Sequence, residues 1–346
     1  MVQAQTFDAK IYYEQALTEL TAMIEGHGPA SFKRAVFVTE NAYFNGQLSY
    51  DEFKAKIAEL AKNARFFAHN LSLIYEGKDQ DRMELYAAIF NVMTGVQGVR
   101  LDSSKVVLPK PYVYDFDDFF GDRDWSKMFV TKLLDTHTGN CHSMPFLYKL
   151  IAEELEVEAY LAMAPNHTYI KLYSEHLGWY NTELTSATFP VDAWIMGSGY
   201  VHTDAVINRL YMDTLSLKQS IAVTLIDLAK GYERKGGKND TGFLLKCANL
   251  ALAHYPTYVN AMILKAETLK LDFEAMMKEA GVAYASALFD DPEAKALFDQ
   301  MQALYLQIHT LGYRRMPREM YLAWLSELNE EKEKYLNKNF SNLRHN

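Results

Sequence analysis

A block of short β-branched and aromatic runs lies between two long stretches of helical periodicity. That change of period constrains the fold more than any other feature. Val157 to Met163, His167 to Tyr173, Trp179 to Leu184 and Val191 to Met196 have the length and composition of strands. Ser174-Glu175-His176-Leu177-Gly178 reads as a hairpin loop. Before the block, residues 7 to about 100 read as helices. Tyr12, Ala16, Leu17, Leu20 and Ile24 form one apolar stripe. Ser49 and Asp51 offer an N-cap ahead of Phe53, Ile57, Leu60 and Ala61, and a further helix spans Asp81 to Thr94. After Thr203 the helical period returns. Its helices are Leu215 to Arg234 (stopped by Gly236-Gly237), Thr241 to His254 (stopped by Pro256), Tyr258 to Lys270, Asp291 to Leu311 and Arg318 to Leu336. The expected class is α+β, in three parts. A helical region covers 1–100, an α+β domain with a small antiparallel sheet covers 101–205, and paired helices of a repeat array cover 206–346.

Within the middle block, Gly139-Asn140-Cys141-His142-Ser143-Met144-Pro145-Phe146-Leu147-Tyr148 puts a cysteine at the start of a helix. A short helix from Met128 to Leu134 leads into the Gly-Asn turn. Leu147, Leu150, Ile151 and Leu155 then fall at helical spacing. Pro145 is tolerated only in a first turn, where its missing N–H is not needed. Near the unpaired amides and the positive end of a helix dipole, a thiolate is favoured over a thiol.

A cysteine nucleophile needs a base, and the base needs a group to orient it. The run Asn166-His167-Thr168-Tyr169-Ile170-Lys171-Leu172 offers His167. The run Gly178-Trp179-Tyr180-Asn181-Thr182-Glu183-Leu184-Thr185 offers Glu183. Side chains alternate along a strand, so His167, Tyr169 and Lys171 share one face, and Trp179, Asn181 and Glu183 share another. In a hairpin closing near Glu175, residues whose numbers sum to about 350 face each other, which sets His167 opposite Glu183. Asn140 and Asn181 are candidates to donate to an oxyanion beside the Cys141 backbone N–H. Trp179, with Tyr180 and Trp194, is a candidate wall for a bound peptide.

This order of residues resembles the transglutaminase-like superfamily of papain-type thiol enzymes, over about Val130 to Thr185. The family pattern is a helix-capping Cys, a strand-borne His, then Gly-Trp with an acid four positions after the Trp and a Thr beyond it. The helices that follow, with Ala248, Ala251, Pro256, Tyr258 and Ala261 near the tetratricopeptide pattern, make it similar to the bacterial subgroup in which such a domain precedes tetratricopeptide-like repeats. The resemblance implies Cys141 as nucleophile, His167 as base and Glu183 as orienting acid. It implies a hydrolase or acyltransferase acting on protein or peptide amides without a cofactor. The family usually has Asp-Pro-Thr where this chain has Glu183-Leu184-Thr185, and an acidic or polar residue where this chain has His142.

Bulk composition bounds the alternatives. The chain has 346 residues, a formal charge of −9 and 49% hydrophobic residues, so it can bury a large core and lacks the basic face of a nucleic-acid binder. Cys141 and Cys247 are its two cysteines. Cys247 lies in an apolar helical run and reads as a packing thiol. His137, Cys141, His142 and His167 lack a C-x-x-C or H-x-x-x-H frame, so no metal is expected. The acidic run Tyr114 to Asp122 does not match a calcium loop and reads as a solvated loop. No apolar run reaches membrane-spanning length. Val2-Gln3-Ala4-Gln5 has the small-residue spacing that ends a secretory leader, so cytoplasmic and exported residence both stay open. A second class of function also stays open. The domain would be an inactive scaffold, and the helical repeats would grip a protein partner.

Overall fold

The computed structural model describes residues 2–70, 73–95, 99–100, 106–107, 110–327 and 330. Lys105, Leu108 and Pro109, and the end of the helix expected to reach Leu336, lie outside the described residues. The chain runs through α1 (Val2–Glu25), α2 (Phe32–Tyr43), α3 (Tyr50–Asn70) and α4 (Gln80–Thr94). Three two-residue strands follow, β1 (Val99–Arg100), β2 (Val106–Val107) and β3 (Val113–Tyr114). Next come α5 (Val130–Thr136), β4 (Thr138–Gly139), α6 (Ser143–Glu154), β5 (Tyr160–Ala164), β6 (His167–Ser174) and β7 (Gly178–Thr182). The chain then forms α7 (Asp192–Ser198), α8 (Thr203–Ile207), α9 (Leu217–Arg234), α10 (Thr241–His254), α11 (Val259–Glu279) and α12 (Pro292–Thr310), and residues 318–327 form a last helical segment. The class is α+β. Among the described residues no helix is long and apolar enough to cross a membrane.

Two compact units result, and they do not follow the order 1–100, 101–205, 206–346. One unit combines residues 1–48, 202–210 and 215–313, so α1 and α2 fold with the later helices. Tyr13, Leu20 and Ile24 of α1 are buried, and the Tyr13 ring packs against Tyr232 of α9 and Phe243 of α10. Ser216 and Gln219 close a capping box at the start of α9. From there α10 packs on α9, α11 on α10 and α12 on α11. Cys247 is wholly buried in this unit, and burial pushes its thiol pKa up, as a packing cysteine requires.

The other unit combines residues 49–201, 211–214 and 314–346. Its sheet is antiparallel, in the order β5-β6-β7. Helix α6 lies on β5 and β6, with α3 and α4 packed on α6. The run Val191 to Met196, read as a strand from its composition, is helical instead. Pro190 and Asp192 stand at its entry as helix-start signals, and Ile195 supplies a single buried contact. A short apolar run does not distinguish the two periods by itself.

The acidic segment 115–124 is also more than a solvated loop. The Asp118 carboxylate is buried and accepts the backbone N–H of Asp122, Arg123 and Asp124. Burial alone raises its pKa, but those three donors outweigh it and hold the carboxyl below its usual value. Asp115 accepts the N–H of Asp117 and Asp118 on one oxygen and pairs with Lys127 at 2.6 Å on the other. Replacing Asp118 by Ala removes the acceptor of three part-buried backbone N–H groups at once. We expect a loss of about 3 kcal/mol in urea unfolding. A loss below about 0.5 kcal/mol would contradict this account of the loop.

Candidate active site

Cys141 reaches its place through a sequence of local constraints. Strands β3 and β4 pair in parallel, Val113 with Thr138 and Tyr114 with Gly139, which brings the chain up to the turn before α6. Gly139 is needed there, because a Cβ would come within 2.5 Å of Ser143 Oγ and 2.7 Å of Leu133. Asn140 then organises the helix start. Its Oδ1 accepts the N–H of His142 at 3.0 Å and of Ser143 at 3.1 Å, and its carbonyl accepts the N–H of Met144. Its Nδ2 donates to the Phe119 carbonyl and to Met128 sulfur, each at 2.9 Å. Pro145 sits in the first turn of α6, as its missing N–H demands.

His167 opens β6 directly after a two-residue turn, Pro165-Asn166. Asn166 has φ 56°, so with Pro165 before it this has the residue pattern of a type II turn. The β6–β7 register pairs Ile170 with Thr182 and Lys171 with Asn181. Extended by one residue, it sets Glu183 across from Tyr169, not from His167. The expected direct opposition is therefore shifted by two residues. His167 and Glu183 are diagonal neighbours on one face, a longer span than a facing pair. The extra methylene of glutamate, relative to the aspartate of the usual motif, suits that span. His167 Nε2 and Glu183 Oε2 lie 2.5 Å apart. The other Glu183 oxygen accepts the Thr185 N–H at 2.7 Å, and its backbone exchanges two hydrogen bonds with Thr188.

With Nε2 committed to Glu183, Nδ1 is the ring nitrogen left to serve the sulfur; it is buried without an aligned hydrogen bond of its own, and the imidazole acts on the sulfur through its electrostatics. Cys141, His167 and Glu183 are 7%, 5% and 4% exposed, so their charges are largely desolvated. Burial pushes the Cys141 pKa up most strongly. The His167 ring, with the Tyr321 hydroxyl, outweighs it, and the thiol lies below its ordinary value. Burial opposes charge on His167 too, but Glu183 and Cys141 raise its pKa to about 10. Burial raises Glu183, and the imidazolium together with the Thr185 N–H brings it below its ordinary value. All three directions favour the thiolate, imidazolium and carboxylate forms. Asn140 already occupies the amides at the start of α6, so the histidine lowers the thiol where helix amides were expected to do so.

The other sequence candidates lie elsewhere. The Asn140 amide has both N–H donated, and so has Asn181, to Pro190 carbonyl and to Asp192 at 2.7 Å. Neither is left to bind an oxyanion. Trp179 is half exposed near the turn end of β7, packed against Tyr160 and Tyr173. Among the described residues no cluster of His, Cys, Asp and Glu could hold a metal. Sequence reasoning missed the aromatic shell. The Tyr321 hydroxyl is 3.1 Å from the Cys141 sulfur and 3.2 Å from the Tyr114 hydroxyl. The His167 ring packs near-perpendicular to Trp324, 4.4 Å between centroids. Comparison with protein-family models, curated proteins and solved structures finds no match.

A thiolate beside an imidazolium is a nucleophile next to a proton donor, the pairing that acyl transfer from an amide requires. The same charges fix a pH dependence of stability. His167, raised from 6.5 to about 10, contributes fully below pH 6.5 and loses that contribution as pH climbs toward 10. Cys141, lowered from 9.0, contributes fully above pH 9.0 and loses that contribution as pH falls. Between these limits the two effects offset, because the proton held by the ring is the one given up by the sulfur. Removing the sulfur exposes the histidine effect. In thermal unfolding, the advantage of wild type over Cys141→Ala should grow as pH rises from 6.5 to 9.0. An advantage that stays level over this range would contradict the ion pair.

Proposed function

We propose that this chain is a cysteine-dependent hydrolase or acyltransferase acting on amides of proteins or peptides, with transglutaminase-like organisation around Cys141. The single observation that carries the reading is the buried His167–Glu183 pair, Nε2 and Oε2 2.5 Å apart, beside a thiol that the histidine holds below its ordinary pKa. The Cys141 thiolate attacks the carbonyl carbon, and the developing oxyanion takes a hydrogen bond from the Cys141 backbone N–H. The His167 imidazolium gives its proton to the leaving nitrogen, the C–N bond breaks and a thioester remains. Water or an amine then attacks the thioester and passes a proton to His167, and the thiolate departs. Glu183 stays ionised throughout and holds the ring in orientation. The helices α9 to α12, stacked in sequence order, are proposed as a repeat-like surface for a protein partner or protein substrate.

Ultraviolet thiolate absorbance tests the resting state without requiring access to the site. The difference between wild type and Cys141→Ala should titrate below the usual thiol value of about 8.5. In Glu183→Gln the titration should move upward, because the neutral amide no longer supports the imidazolium. The same change should cost about 100-fold or more in the rate of any acyl transfer. A wild-type thiol that ionises only at the usual value would overturn the reading.

A further inference from the structure

The group closest to the nucleophile, after its own partners, comes from the far end of the chain. Residues 313–317 run without regular structure, and the helical turns of 318–327 then lie over the site within the same compact unit. Tyr321, Trp324 and Leu325 are buried, with Tyr321 at 0% exposure. The Tyr321 ring stacks on Phe120 with centroids 5.1 Å apart and lies 5.4 Å from Phe119. Asn166, in the turn ahead of His167, donates to the Met316 carbonyl at 3.4 Å, and Arg318 pairs with Asp122 at 2.9 Å. Arg318 also lies over the Phe119 and Phe120 rings.

The seat of the Tyr321 oxygen is the informative detail. It lies 3.1 Å from the sulfur, within hydrogen-bond reach, and 3.2 Å from the Tyr114 hydroxyl. Both amide side chains that might have donated there are committed elsewhere. Tyr114 is held in place by the pairing of β3 with β4 immediately before the cysteine turn. An acyl group bound to this thiol needs space beside the sulfur, and the phenol oxygen now fills that space on the side of Tyr114.

We propose that residues 314–327 are an internal pseudosubstrate, in which the Tyr321 oxygen holds the place of a substrate carbonyl oxygen and faces Tyr114 as the oxyanion donor. The inference rests on the thiol-enzyme reading and adds to it a latent state and a further catalytic residue. The segment must leave before a peptide reaches Cys141. The seat it vacates, against Phe119 and Phe120, accepts an aromatic side chain. Apparent reactivity then scales with the open fraction, so a segment closed 99% of the time would slow reaction about 100-fold.

Two small probes on the full chain separate the parts. Iodoacetamide alkylates sulfur by displacement of iodide and forms no oxyanion. Para-nitrophenyl acetate acylates sulfur through an oxyanion and releases para-nitrophenolate in a burst. Alkylation of Cys141 should be slow in wild type and in Tyr321→Phe, which keeps the plug, and about 10-fold faster or more in Tyr321→Ala. Cys247, wholly buried, reports folding by staying unlabelled. In Tyr321→Ala, adding Tyr114→Phe should slow the para-nitrophenyl acetate burst about 100-fold and leave alkylation unchanged.

If Tyr321→Ala exposes Cys247, Arg318→Glu replaces it as the opening variant. That change should quicken alkylation about threefold, and the added Asp122→Arg should reverse the gain. Alkylation unchanged in a folded opening variant, or a burst indifferent to Tyr114→Phe, would overturn the proposal. Faster alkylation that rises only near the ordinary thiol pKa of about 8.5 would instead leave the plug standing and overturn the thiolate reading.

Discussion

The contact between Glu183 and His167 sets the terms for everything around it. Two ionised groups buried to this degree lose most of their hydration, and only a close, hydrogen-bonded pair recovers that loss. Glu183 meets the requirement on every side. One oxygen takes the ring N–H, the other takes the Thr185 N–H, and the backbone is fixed by two hydrogen bonds to Thr188. The carboxylate has little freedom to follow a misplaced ring, so the β6–β7 register has to deliver the imidazole to it. The register does so diagonally, and the glutamate side chain spans the offset.

A second set of constraints delivers the sulfur. Asn140 spends its side chain and its carbonyl on the first amides of α6, and its amide ties that turn to Phe119 and Met128. Asp118 gathers three N–H groups a short distance away in the same loop. Polar groups otherwise read as catalytic or solvated are thus structural. They hold the cysteine turn against the aromatic residues Phe119 and Phe120. The charge state of the thiol then depends on the histidine more than on the helix it precedes.

Much of this was legible in the sequence, and the reasons are specific. Long helices such as α9 and α10 announce themselves by period and by their stops, Gly236-Gly237 for the one and Pro256 for the other. The order Cys141, His167, Glu183 was readable because a hairpin turns sequence separation into proximity by simple alternation. Its register was off by two, since the loop residues alone do not fix where pairing begins. The stretch after Pro190 was misread because a short apolar run fits either period. Tyr321 was invisible for a different reason. Nothing local marks a tyrosine as the neighbour of a cysteine 180 positions earlier. The same holds for the folding of α1 and α2 with the later helices, since a helical stripe shows that a face is buried and not what buries it.

The account depends on charge inside the site, and nitrogen-15 magnetic resonance of the His167 ring reads that charge directly. The account predicts that both ring nitrogens carry protons at neutral pH, and that the imidazolium persists until the solution approaches about pH 10. A ring with one protonated nitrogen at neutral pH, titrating near the ordinary histidine value, would contradict it.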